Sequence, residues 1–438
     1  MSKSLIKISV YLLVAWLLSG CASSQHRIKG DKELKRLYTK DGFFTQHLSC
    51  LMLMDLSEGK IIHEINPNIY FNPASTTKLL TFYAGEKLLS AQSIALRYSY
   101  IGDTVHIWGT GDPSFLYSKT AQGGAFEFLK LHEGPISYSE ENFKDERYGP
   151  GWAWDDYSYA FAAERSPLPI YGNLAYFQRN PNFSTPATQS KYMDQWLNTR
   201  NTSGKRIERD FHQNAFYYNP DSLQLYREQA IPFITSGVLT AQLLADTLQK
   251  LVIYQKTQLP DTTNILLGVR MDSLYQEMLQ ESDNFIAEQI LLQISDAKLG
   301  YMNSHDAIAY ITNLLYTDTP SPLVWKDGSG LSRYNLLTPA SLLHVLKKIY
   351  LEVPEDRLFE LLAQGGVSGS LKNNFGAETP YIFAKSGSFS NNYNLAGYLI
   401  ADSGKRYAFV LMNNQFAVSV STIRNEVEKV LQIIKKKY

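Results

Sequence analysis

Tyr70-Phe71-Asn72-Pro73-Ala74-Ser75-Thr76-Thr77-Lys78, with the apolar run that carries it on to Leu89, decides how the rest of the chain is read. Asparagine caps helices and proline fits a helix's first position, so a helix is predicted to start just before Ser75 and to bury Leu79, Leu80, Phe82 and Tyr83. A spacing of three sets Ser75 and Lys78 on one helix face, a turn apart. An alcohol is a weak nucleophile near neutral pH and needs a base within hydrogen-bond reach. Lysine is a poor base at its free pKa, but burial and a second cation nearby both lower it. A helix N-terminus at Ser75 also aims backbone donors at a developing oxyanion. Taken alone, a serine three residues before a lysine is common, and a capping serine with a solvated lysine explains it equally well.

Two further motifs give the pair its weight, because the three occur in the order expected of penicillin-recognising serine enzymes. Ser282-Asp283-Asn284 offers a hydroxyl and an amide two residues apart. Ser282 can pass a proton to a leaving amine, Asn284 can hold the amide on the acyl side of a substrate, and Asp283 is expected to point away and support the turn. All three residues are also ordinary helix caps. Lys385-Ser386-Gly387, followed by Ser388, falls in a strand-like run. Lys385 and Ser386 can bind a terminal carboxylate by charge and hydrogen bond, and Gly387 lets a substrate backbone approach closely. The N–H groups of Ser75 and Ser388 would together make an oxyanion hole. Lys385 is also the second cation beside Lys78 if its strand borders the same cleft.

Around these motifs the pattern is α/β (α+β). Residues 32–48 read as a helical entry, and 49–55 and 60–65 as a hairpin turning at Gly59. From about 95 to 265 the chain is rich in Tyr, Asn, Gln, Asp and turns, with short strand-like pieces at 104–108 and 174–177. This reads as a mostly β insertion. Helices return at 271–279, 285–294, 304–316, 339–350 and 356–363, and strands at 381–389, 395–401 and 406–412. A last helix at 420–437 carries the stripe Ile423, Val427, Val430, Leu431 and Ile434. Hairpin and helix at one end, strands and helix at the other, imply one antiparallel sheet flanked by helices and built from both ends of the chain. The expected divisions are 32–95 and 263–438 for the catalytic domain and 96–262 for the insertion.

With 438 residues, two or three domains are expected, and an apolar content of 44% supplies a substantial core. Lysine plus arginine balances aspartate plus glutamate at 42 each, so nothing points to a nucleic-acid partner. Lys3 and Lys7 precede a short apolar run over 8–18 that closes at Leu18-Ser19-Gly20-Cys21. A run this short, with a basic start and small residues at its end, reads as a signal peptide over 1–20. With Cys21 in place the ending looks like a bacterial lipobox, so Cys21 would be lipidated, leaving 21–31 as a tether to a lipid bilayer. A buried N-terminal helix with an incidental cysteine is the plainer alternative. Ala22, where an aspartate would hold a lipoprotein at the inner membrane, favours an exported lipoprotein on the periplasmic side of the envelope, anchored in the outer membrane. Cys50 beside Leu51-Met52-Leu53-Met54 reads as a small buried residue. The eight histidines form no metal-ligand pattern, so neither metal nor cofactor is expected.

At this point the chain resembles a known family, the D-alanyl-D-alanine carboxypeptidases and endopeptidases called class C low-molecular-mass penicillin-binding proteins. Besides the three motifs, 109–113 is similar to the family's early glycine-rich turn and Gly151-Trp152-Ala153-Trp154-Asp155-Asp156 to its tryptophan–aspartate signature. Asp327-Gly328-Ser329-Gly330-Leu331-Ser332-Arg333 resembles the segment between its second and third motifs, and 365–371 its glycine-rich approach to the last strand. The resemblance implies the serine β-lactamase/penicillin-binding-protein transpeptidase-like fold. It implies acylation of Ser75 by D-alanyl peptide bonds of peptidoglycan stem peptides, with Lys78 as base and Ser282 as proton donor to the amine. Water then frees the acyl group. β-Lactam antibiotics would act as covalent inhibitors. Two departures stand out. Ser386 replaces the family's usual threonine but keeps the hydroxyl, and 166–173 matches only loosely, which leaves Asp155 as a possible substrate contact. Trp152 and Trp154 are expected to pack between insertion and catalytic domain. A β-lactamase or esterase of the same fold, or a non-catalytic peptidoglycan-binding lipoprotein, stays open as an alternative.

Overall fold

The first strand of the chain and the last are neighbours in one sheet. In the computed structural model, which describes residues 31–39, 42–179, 186–201, 204–223 and 228–438, six antiparallel strands form this sheet. Their order is Ala363–Gln364, Ile382–Phe389, Asn392–Ile400, Arg406–Asn414, Leu48–Asp55, Lys60–Ile65. Leu48 lies opposite Asn414 and Asp55 opposite Tyr407, so both chain ends contribute, as the sequence implied. Successive side chains of a strand face opposite ways. Cys50, Met52 and Met54 accordingly enter one core while Leu51 and Leu53 enter the other. Cys50 is a free, buried thiol.

Helices cover both faces. Helix Val420–Lys437 lies over one, and its stripe Ile423, Val427, Val430, Leu431 and Ile434 is fully buried. Each such aliphatic side chain contributes about 2 kcal/mol by leaving water. The other face carries Lys78–Leu88, Met271–Gln276, Asn284–Leu299, Ser304–Leu315, Pro339–Glu352 and Glu355–Leu361. These pack Leu80, Leu274, Ile290, Ile311 and Leu346 against Met52, Tyr398, Val410 and Met412. The predicted helical entry over 32–48 is shorter than expected. It is helix Asp31–Leu37 and a 3-10 turn Phe43–Thr45, separated at Gly42, whose extended backbone breaks the helix.

The inserted region has its own core, including Leu96, Ile107, Tyr138, Phe177, Phe216 and Leu244. A five-stranded sheet orders Val252–Tyr254, Ile136–Ser139, Thr104–Gly109, Gln92–Ile101 and Asn264–Arg270. Two small three-stranded sheets and the helices Ala125–Leu131 and Gly237–Leu248 complete it. Gln92 pairs with Arg270, so the strands that enter and leave the insertion run side by side and reach outside the bounds 96 and 262 drawn from sequence. Residues 1–30, with the expected signal peptide, Cys21 and most of the tether, lie outside the described residues.

Candidate active site

The helix start at Ser75 is tighter than a capped α-helix. Ala74–Thr77 forms a 3-10 turn that runs into helix Lys78–Leu88. Asn72 begins it, its Oδ1 accepting the Ala74 N–H at 3.1 Å. Asn414 and Asn394, on adjacent strands of the central sheet, pin Asn72 in turn at 2.8 and 2.9 Å through its N–H and its carbonyl. Ala74 sits at φ 46°, a left-handed conformation that costs about 1–3 kcal/mol for a residue with a side chain and persists where packing enforces it.

Lys78 is fully buried, and its Nζ donates to Ser75 Oγ at 3.0 Å, Asn284 Oδ1 at 2.7 Å and the Ser329 carbonyl at 2.6 Å. Burial drives this amine down to about 8, against an opposing pull from Asp327, Asp283 and Glu288. The spacing-derived pair is therefore in hydrogen-bond contact, and the base needs only a modest rise in pH to become neutral.

The second motif follows a π-helical turn, Glu277–Glu281, that leaves Ser282 at φ 65°. This left-handed residue ends one helix while Asp283 caps the next, accepting the Ile286 N–H at 3.0 Å. Asp283 faces away from the nucleophile, as expected, and binds the insertion through Tyr117 Oη at 2.7 Å and Lys119 Nζ at 2.8 Å. Burial pushes its carboxyl up, but Lys119, Tyr117 and the backbone donor hold it below the ordinary range. Asn284 points inward to Lys78 and outward through Nδ2 to the Phe161 carbonyl of the insertion at 3.0 Å.

The third motif closes the cluster. Lys385, fully buried, donates to Ser282 Oγ and to the Ser386 carbonyl, each at 2.8 Å. Burial, and then Lys78, lower its amine well below the ordinary value. Ser386 Oγ meets Ser370 Oγ at 2.7 Å, and Ser388 is exposed on the same strand. Gly387 is needed for a reason beyond substrate access. A Cβ there would lie 2.7 Å from the Pro73 carbonyl and 2.8 Å from the Ser75 N–H nitrogen, so glycine lets the strand press against the nucleophile turn itself. A cleft of about 740 Å³ borders the site at Ser282 and Asn284 and is lined besides by Tyr159, Phe161, Arg206 and Glu208, among others; Ser75, Lys78 and Lys385 are not part of that lining.

Asp155 is exposed on the 3-10 turn Trp154–Ser158 and is not part of that lining. Trp152 joins insertion to catalytic domain as expected, its Nε1 donating to Asp327 Oδ2 at 2.8 Å. Trp154 does not: it is 77% exposed and meets Phe211 of the insertion edge to face. Ala153 is extended and Trp154 opens the 3-10 turn, which carries its ring out to solvent.

Sequence reasoning missed the layer beneath Lys78. The buried Asp327 carboxylate gathers the N–H groups of Gly330 and Ser332 and the Asn335 amide, at 2.9, 2.5 and 2.7 Å, and so shapes the loop that presents the Ser329 carbonyl. Glu288 Oε1 accepts the Ser329 N–H at 2.8 Å. The signal for Glu288 was available, since it lies four residues after Asn284 and hence on the same helix face.

The arrangement can deliver a serine to a carbonyl, remove its proton, and hold a second proton path on Ser282. A profile of the D-Ala-D-Ala carboxypeptidase 3 (S13) family matches residues 32–205 and 232–436. The chain is 23% identical over 411 residues to the D-alanyl-D-alanine carboxypeptidase DacB of Haemophilus influenzae, covering 83% of this chain and 84% of that one. The crystal structure of penicillin binding protein 4 (dacB) from Haemophilus influenzae superposes with a TM-score of 0.70 at 20% identity, over 93% of this chain and all of that one. The same protein complexed with a novel β-lactam superposes with a TM-score of 0.66 at 18% identity, over 93% and 100% of the two chains.

Proposed function

The chain belongs to the D-Ala-D-Ala carboxypeptidase 3 (S13) family, and from that premise we propose that it cleaves D-alanyl peptide bonds of peptidoglycan stem peptides through an acyl-enzyme on Ser75. The observation that carries this reading is the 3.0 Å contact between Ser75 Oγ and a buried Lys78 amine lowered to about 8. Lys78 takes the Ser75 proton as Oγ attacks the carbonyl. The tetrahedral oxyanion lies between the N–H groups of Ser75 and Ser388. Asn284 holds the acyl-side amide, and Lys385 with Ser386 receives the carboxylate beside the scissile bond. Ser282, in contact with Lys385, protonates the departing amine as the carbonyl re-forms, and water then cleaves the ester. Release of free D-alanine makes this a carboxypeptidase reaction, and release of a neighbouring stem peptide an endopeptidase reaction. A β-lactam follows the same path as far as the ester, consistent with the β-lactam complex of the Haemophilus influenzae relative.

Exposure to benzylpenicillin followed by intact-protein mass spectrometry tests the reading. A gain of one penicillin on the parent, absent from Ser75→Ala, is expected. A folded parent that neither gains mass nor consumes antibiotic overturns it, and rapid consumption without label points to a β-lactamase. The envelope location belongs to the same proposal. The basic start, the short apolar run and Cys21 support a lipid-anchored, exported protein on the periplasmic side, held at the outer membrane. Cys21→Ser should release it from the membrane fraction.

A further inference from the structure

Two buried charges behind the catalytic lysine are used by nothing in that mechanism. Glu288 and Arg165 are each 1% exposed. Glu288 lies on helix Asn284–Leu299, one turn past Asn284. Its Oε1 accepts the Ser329 N–H at 2.8 Å, and the carbonyl of that same residue accepts Lys78 Nζ at 2.6 Å. A single residue, Ser329, thus separates the carboxylate from the amine. The other oxygen, Oε2, has no hydrogen bond and stands 3.8 Å from Arg165 Nη1. Arg165 comes from the inserted region and also binds Asp145 Oδ2 at 3.1 Å and the Ser304 hydroxyl.

Keeping an ion pair out of water costs several kcal/mol unless its geometry is very good, and 3.8 Å with an unbonded oxygen is not. A leucine or methionine in its place would leave the Ser329 N–H and the Arg165 guanidinium buried without the carboxylate, so part of its role is structural. Its electrostatic reach gives it a second. A negative charge near Lys78 stabilises the ammonium and so opposes the base, whereas its absence releases the amine. We propose that Glu288 is a positioning residue of the acylation machinery: held between Arg165 and the Ser329 N–H, it fixes the Lys78 amine against Ser75 and sets how readily that amine loses its proton. The inserted region thereby reaches the general base through Arg165 without touching substrate.

The charged groups facing this pair come from several elements. Asp327, Asp283 and Lys385 surround Lys78; Lys119 pairs with Asp283, and Glu281 stands near Lys385. Asp327 and Arg165 face Glu288. Burial, then Asp327, push Glu288 up to about 7, just below Lys78 at about 8, so the carboxylate form predominates around the Lys78 midpoint.

The inference rests on Lys78 being the base, so its test needs a readout independent of turnover. The full chain, labelled with carbon-13 lysine, gives the titration midpoint of Lys78 by NMR, assigned through Lys78→Met. Glu288→Gln keeps an acceptor for the Ser329 N–H but removes the charge. Its Lys78 midpoint should fall by about one pH unit, and the acid limb of benzylpenicillin acylation should fall with it while the plateau at high pH is kept. Glu288→Asp keeps the charge but withdraws it from Ser329. It should lose about tenfold in acylation rate with the limb in place, and it serves if Glu288→Gln does not fold. An unmoved midpoint in Glu288→Gln, or a rate lowered equally at every pH, overturns the inference. A midpoint that shifts in a protein that never acylates keeps the electrostatic coupling and overturns the acyl-transfer reading instead.

Discussion

Lys385 and Ser282 meet at 2.8 Å, joining the strand that presents the third motif to the left-handed residue that ends the π-turn. In the proposed reaction the contact would put the amine that binds a substrate carboxylate and the proton donor to the leaving group in one hydrogen bond. Lys385→Met should therefore lose recognition of a substrate's terminal carboxylate. The parent is expected to prefer a peptide ending in D-alanine over its D-alaninamide analogue by about 10- to 100-fold. Hydrolysis of both peptides by parent and variant measures this, and a preference that survives in Lys385→Met would refute the assignment.

Lys78 must be neutral to accept the Ser75 proton, and its amine is lowered from 10.5 to about 8. Acylation by benzylpenicillin should accordingly rise with pH and reach half its plateau near 8. Lys78→Ala should lose about 10²- to 10⁴-fold. Stopped-flow acylation across pH 5 to 10 reads both.

Gly387→Ala places a methyl group 2.7 to 2.9 Å from the Pro73 carbonyl and from the nitrogens of Ser75 and Thr76. Either the strand or the nucleophile turn must shift. Acylation should drop about 100-fold, the usual result of displacing a reacting atom by about an ångström, with about 1–3 kcal/mol lost in urea unfolding.

Much of this was legible from residues in sequence. Asn72-Pro73 announced the helix start, the alternation in Leu51-Met52-Leu53-Met54 announced a strand buried on both faces, and the stripe from Ile423 to Ile434 gave helix Val420–Lys437 with its bounds intact. The π-turn before Ser282 and the left-handed Ala74 were not legible, because neither residue type favours such backbone. Packing against Gly369, which leaves room for the Gln280 carbonyl, and against Gly330 imposes them. Asp327 was legible only as part of its segment and Glu288 was signalled only by its spacing from Asn284; what the two carboxylates do was hidden for a related reason. A carboxylate in an apolar helix or a loop shows its purpose only once Arg165, Trp152 and Ser329 arrive from distant parts of the chain.

Trp152→Phe removes the indole donor from Asp327, a carboxylate with no exposure, while keeping an aromatic ring beside Arg165. About 2 kcal/mol of stability should be lost, read as a lower urea midpoint at unchanged slope. A variant as stable as the parent would mean the insertion is held by its other contacts.

Burial raises Glu288 from 4.5 to about 7. The folded protein thus keeps this proton where the unfolded chain has released it, and the parent loses stability as pH rises from about 4.5 to 7. Glu288→Gln has no such proton. Its melting temperature relative to the parent should climb across that window, and thermal unfolding at pH 5, 6, 7 and 8 follows the difference.

Pairing the first strand with the last also governs when the protein becomes dangerous to the cell that makes it. The nucleophile helix leaves the ribosome early, but Asn72 is pinned by Asn394 and Asn414, and Lys385 belongs to the same late strands. A nascent or truncated chain holds Ser75 and Lys78 without the sheet that aligns them. Competence to sever wall peptides therefore waits on the strands over 382–414, so that topology itself delays activity until they have been made.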